Sequence, residues 1–165
     1  MPTHGRYEMI RLINTEEDLK RFLGGQGTDH LGRKITEILE KDDIWWERGH
    51  DFIQWVFPTT EKSHYNWLAP TVKNPEGYAT PYMEASLERY KLFLSQANWK
   101  KKGDHNQRRI TRVLKCLKLF GYEEEAKAFL HSWKRNILKT PNSWKKLFIF
   151  GSMSWNNILF PVRNV

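Results

Sequence analysis

Apolar residues recur at helical intervals over most of this chain, in segments separated by turn signals. Thr15 to Leu23 opens on a capping threonine, carries acids in its first turn and basic residues near its end, and stops at Gly24-Gly25, which predicts a short helix. Gly24 to Gly27 then reads as a flexible loop. Three glycines near Lys34 do not make a phosphate loop, because no apolar strand precedes them and the Gly-Lys-Ser/Thr ending is missing. Ile35, Ile38 and Leu39 share one helical face, and Asp42-Asp43 offer a cap for a further helix through Ile44-Trp45-Trp46 to Gly49. From His50 to Phe57 the spacing predicts continued helix. In it, Ile53 and Phe57 share one side, His50 and Gln54 share the neighbouring one, and Pro58 ends the run. A strand over 52–57 is the competing expectation.

Residues 59–80 are rich in Pro, Asn, Ser and Gly and read as a long ordered loop or linker. Thr80 and Pro81 then open a long helix with Met83, Leu87, Tyr90 and Leu94 on its core face and Phe93 beside them. Residues 105–120 predict another, with Ile110, Val113, Leu114 and Leu117 inward. Gly121 ends it, and the acids 123–125 start a partner helix bearing Ala126, Phe129, Leu130, Trp133 and Ile137, so the two form an αα-hairpin. The tail after Thr140 is aromatic and β-permissive, suited to a short hairpin or a docking helix. The expected fold class is all-α, a compact multi-helix bundle, with an N-terminal segment over 1–14, a helical domain over 15–138 and a basic aromatic extension over 139–165. No internal repeat is visible.

Composition changes this picture in three ways. An apolar share of 39% with 14% aromatics places the 165 residues among folded globular chains. Cys116 is the single cysteine and can form no internal disulfide, and no apolar run approaches the roughly 20 residues that span a bilayer, so the expectation is a cytoplasmic protein without membrane insertion. The net charge of +8 permits an anionic partner, and no acid follows Glu125 to offset the basic tail.

Three blocks carry a resemblance. They are Gly32-Arg33 leading into Ile38-Leu39, then His50-Asp51-Phe52-Ile53-Gln54-Trp55-Val56-Phe57-Pro58, then the run from His105-Asn106 through Arg109-Ile110 and Arg112 to Lys115. In this order, with Asn66, Ala69-Pro70, Trp99 and Gly121 between and after them, they resemble the conserved region of the opioid growth factor receptor family. The likeness covers residues 22–133. The family's vertebrate members are described as nucleus-associated receptors for a short peptide, so the resemblance implies a helical binding domain and, in a eukaryote, nuclear association. The adjacent Trp45-Trp46 and the tail after Asn136 depart from the family pattern.

The candidate ligand-binding residues are His50, Asp51, Gln54, Trp55, Asn66, His105, Asn106, Arg109 and Arg112. In the leading reading, Trp55 and Phe57 floor a cleft between motif helices, where His50, Gln54, His105 and Arg109 orient a peptide or protein segment. The plainer alternative makes the same side chains a buried polar network that ties helices together. A second function class is nucleic-acid binding through Lys100, Lys101, Lys102, Arg108, Arg112 and Lys115, set against a merely solvated helix face. A third is a hydrolase or transferase around His50, Asp51 and His105, although no spacing diagnostic of catalysis is present. Asp42-Asp43 read as a cap, Cys116 as a buried small hydrophobe, and His4, His30, His64 and His131 as isolated. No cofactor or metal is expected.

Overall fold

The structure is a computed structural model, and it describes residues 15–63, 68–97 and 105–137, with side chains up to Trp133. The tail, Asn66, Trp99 and Lys100 to Lys102 lie outside the described residues. Within them the fold is all-α, as the pattern predicts, with seven helices and no strand. The chain divides into two compact units between Ala97 and Asn98.

In the first unit α1 spans Glu16–Leu23, α2 Ile35–Leu39, α3 Asp43–Arg48, α4 Ile53–Val56 and α5 Met83–Gln96. Helix α1 begins on a complete capping box. The Asp18 amide donates to the Thr15 hydroxyl oxygen, and the Asp18 carboxylate accepts from the Thr15 amide, so two amides that a helix start leaves over are satisfied. Leu19, Phe22 and Leu23 point inward and α1 packs on α4. The glycine loop is held more firmly than a flexible one, since the amides of residues 24–27 all donate back to carbonyls of α1. Gly25 sits at φ +83°, and a Cβ there would lie 2.5 Å from Tyr82, so the turn needs glycine both for its backbone and for its neighbour.

The helix expected from His50 onward is reduced to the single turn of α4, and His50 and Asp51 lie in a bend before it. Packing explains the break. Phe52 presses on Gly49, where a Cβ would meet its ring at 2.9 Å, and its ring stands 4.6 Å from Trp45 and 4.9 Å from Trp46. Gly49 takes extended angles to let that ring in, which ends α3 and turns the chain before a helix can resume. Pairing of His50 with Gln54 on one helical face is therefore corrected: the Gln54 side chain instead donates back to the His50 carbonyl.

The described residues of the loop after Pro58 are packed on the fold. Ala69 and Val72 are buried, the Val72 amide donates to the Thr59 carbonyl, and Glu16 accepts from the Lys73 amide and the Tyr78 hydroxyl at 3.0 and 2.9 Å. Helix α5 starts two residues later than Pro81 and buries Met83, Leu87, Tyr90, Phe93 and Leu94 as expected. It packs on α2 and α3.

In the second unit α6, Asn106–Leu119, packs against α7, Glu123–Ile137, across a turn in which Gly121 takes φ +84°. Ile110, Val113, Leu114 and Leu117 are buried from α6, and Ala126, Phe129, Leu130 and Trp133 from α7. This is the predicted hairpin. Cys116 is fully buried, and desolvation pushes its thiol far above the usual range, so it behaves as a small apolar residue.

Candidate functional site

A polar network in the first unit is built on the turn between α1 and α2. One oxygen of Asp29, a residue 0% exposed, accepts from the amides of Leu31 and Arg33, each at 2.9 Å. Its other oxygen accepts from Arg33 Nε at 2.7 Å. Gly32, at φ +78°, allows the chain to close this turn. The local geometry thus aims Arg33 at the bend before α4, where Arg33 Nη2 donates to Asp51 Oδ1 at 3.2 Å.

His30 joins the same bend to the core. The Trp55 indole N–H donates to His30 Nδ1 at 3.1 Å, and His30 Nε2 faces Asp51 Oδ2 at 3.4 Å. A nitrogen that accepts from an indole carries no proton, so the tautomer is fixed with its hydrogen on Nε2, toward the carboxylate. Both ring nitrogens are engaged. The arrangement resembles an aspartate-histidine pair of the catalytic kind, but the nitrogen that would act as base is occupied by Trp55. Asp51 is held down to about 2 by the His30 hydrogen bond first, then by the charge and hydrogen bond of Arg33, against an opposing contribution from burial.

Stability should follow this shift. A carboxylate depressed from 3.8 to about 2 stabilises the fold fully above the unfolded value and loses that contribution as pH falls through the folded one. Because about a third of the side chain meets solvent, the net contribution is on the order of 1 kcal/mol. Urea unfolding of the protein and of Asp51→Asn at pH 6, 4 and 3 should show a stability gap that narrows by about half at pH 3. A gap independent of pH would mean that the charge of Asp51 contributes nothing.

Beside the network lies an open recess of about 440 Å³, lined by Arg33, Asp42, Ile44, Trp45, Arg48, Gly49 and Asp51. Trp45 is its aromatic wall. Its ring packs on Phe52 and has the Arg33 guanidinium 5.2 Å and the Lys41 ammonium 5.7 Å from its centroid. Ile44 is 63% exposed, a large aliphatic side chain left to solvent at the mouth. Helix α3 sets this out: Asp42 accepts from the Trp45 amide at 2.8 Å, while Trp46 one position on is buried, with its indole N–H on the Ile38 carbonyl. Adjacent tryptophans on a helix face different directions, and here one serves the core and the other the recess.

The sequence-derived candidates divide among these roles. Asp51 belongs to both network and recess. His50 is exposed beside it, but is not among the recess lining. Gln54 is 3% exposed and donates to the His50 carbonyl and the Ser63 hydroxyl, while its Oε1 meets no donor among the described residues. Trp55 and Phe57 are 0% exposed and hold the core together, Trp55 edge-on to Phe22 and Phe57 edge-on to Tyr90, so they do not floor an open cleft. In the second unit Asn106 and Arg109 are buried, His105 and Arg112 are partly exposed, and Arg108 is exposed with Lys115 half-buried.

His30 is the correction of greatest consequence. Expected to be isolated, it is a buried member of the network, with partners 21 and 25 residues further along the chain. No pattern of local spacing could have found it, although Asp29 three residues before Gly32 is a turn signal of its own kind.

No family model, curated protein or solved structure matches the chain. Among the described residues no helix is long and apolar enough to cross a membrane.

Proposed function

We propose that this chain is a non-enzymatic binding domain, resembling the opioid growth factor receptor conserved region, that takes up a segment of peptide or protein. The observation that carries this reading is the recess at Trp45. A partly exposed indole, an exposed Ile44 and several charged groups surround an open space large enough for one or two side chains. Aromatic and aliphatic surface of this kind, rimmed by guanidinium groups, is the usual makeup of a binding hot spot. The aspartate-histidine pair supports binding over catalysis, because Trp55 occupies the basic nitrogen. The binding surface therefore moves from the motif face predicted around Trp55 to the neighbouring face of α3. A reducing intracellular setting agrees with the buried thiol of Cys116.

Selection of a displayed random dodecapeptide library on the full chain tests the reading. It should enrich related sequences, and synthetic peptides of that consensus should bind Trp45→Ala at least about tenfold more weakly than the parent protein. Circular dichroism should confirm that the variant keeps its helix content. Selection yielding no consensus beyond that of an unrelated basic protein, or a consensus indifferent to Trp45→Ala, would overturn it.

A further inference from the structure

We infer that the recess at Trp45 selects an acidic apolar peptide, one in which a carboxylate follows directly on a bulky apolar side chain. This rests on the binding reading above and adds the chemistry of the ligand.

The charge of the ligand follows from which charges near the recess are already satisfied. Three cations surround Trp45, namely Arg33, Lys41 and Arg48, and two acids line the recess, Asp42 and Asp51. At first count the balance is close to neutral. The acids, however, have internal work: Asp42 Oδ1 caps the Trp45 amide, and Asp51 offers its two oxygens to Arg33 and His30. A carboxylate engaged in this way has weakened attraction for an incoming cation.

The cations are less committed. Arg33 spends Nε and Nη2 on Asp29 and Asp51. Among the described residues Arg48 meets no carboxylate and no carbonyl within bonding distance, and Lys41 has only the face of Trp45 for its ammonium. Arg48 therefore presents a guanidinium, with a planar fork of donors, at the edge of an aromatic and aliphatic surface. A ligand carboxylate can reach that fork while its apolar neighbour lies against Ile44 and Trp45. An ammonium in the same position would meet uncommitted positive charge, which disfavours a basic ligand by repulsion.

Three fluorescein-labelled hexapeptides test this by fluorescence anisotropy on the full chain. Each carries leucine and phenylalanine followed by two glutamates, two glutamines or two lysines, with neutral ends. The glutamate peptide should bind about tenfold more tightly than the glutamine peptide, as a charge-assisted bond replaces a neutral one, and the lysine peptide weakest of all. Raising salt from 50 to 500 mM should shrink the first difference, since the pair is exposed. Arg48→Gln should abolish the glutamate preference, bringing the ratio of glutamate-peptide to glutamine-peptide affinity to about one, and Arg48→Glu should turn the preference toward lysine.

Equal binding of the glutamate and glutamine peptides, or tightest binding of the lysine peptide, would overturn the inferred charge selectivity and leave peptide binding standing. If none of the three binds while library selection still yields a Trp45-dependent consensus, the acidic apolar ligand is wrong and the binding domain is not. Absence of both removes the binding reading as well.

Discussion

Trp55→Ala will leave the first unit unfolded or nearly so, seen as loss of most of its helical circular dichroism at 37 °C. The side chain is fully buried, edge-on to Phe22 at 5.4 Å, and α4 is a single turn with little stability of its own. Truncating a buried tryptophan removes about 3 to 5 kcal/mol, against a total of about 5 to 15 for an ordinary domain. A second loss comes with it: His30 Nδ1 would be buried without the indole donor, at an added cost of about 1 to 3 kcal/mol. Trp55→Phe separates the two, since it keeps most of the ring volume but drops the N–H. It should fold, with a melting temperature between those of the parent and the alanine variant. If Trp55→Ala melts within a few degrees of the parent protein, Trp55 is not the anchor described here.

Asp29→Ala will have the next largest effect, about 3 to 5 kcal/mol in urea unfolding, because it leaves Arg33 Nε without its carboxylate, with Asp51 as the one acid among the described residues still on that guanidinium, and leaves two amides of the turn without an acceptor. Asp29→Asn should cost much less. Its Oδ1 can still accept from Leu31 and Arg33, so what is lost is mainly the charged bond to Arg33 Nε. The two substitutions in Asp29→Ala with Arg33→Ala should cost less together than the sum of each alone, since each by itself already breaks the same ion pair. Additive costs, or an alanine variant within 1 kcal/mol of the parent, would show that the turn is held by something other than this pair. Because Arg33 also touches Trp45 and Asp51, Asp29→Ala should weaken peptide binding as well, through position rather than contact.

The sequence by itself determined the helices that carry many local signals. Thr15 with three acids, the Met83 to Leu94 face, and the pair of helices about Gly121 are each written in adjacent residues, through capping, helical spacing and a left-handed glycine. The buried set followed, because a helix with one apolar face has one way to bury it. Between residues 49 and 57 local pattern failed. Spacing there suits a continuous helix, but the ring of Phe52 against Gly49, Trp45 and Trp46 holds more energy than the few helical bonds that a bend gives up.

The candidate site was legible in residue types and not in geometry. Asp51, Gln54 and Trp55 stand out by their mixture of polar and bulky apolar character; Asp51 and Trp55 meet at His30, while Gln54 turns to the His50 carbonyl and the Ser63 hydroxyl. Their partners were hidden, because His30 and Arg33 reach Asp51 across about twenty residues of chain, and spacing along a helix carries information over only a turn or two. Which of two adjacent tryptophans faces solvent is likewise undecided by the sequence around it. Packing of α3 on α5 decides that Trp46 is covered, by Phe93 and the Arg89 guanidinium, and Trp45, a residue further round the helix, is left at the recess.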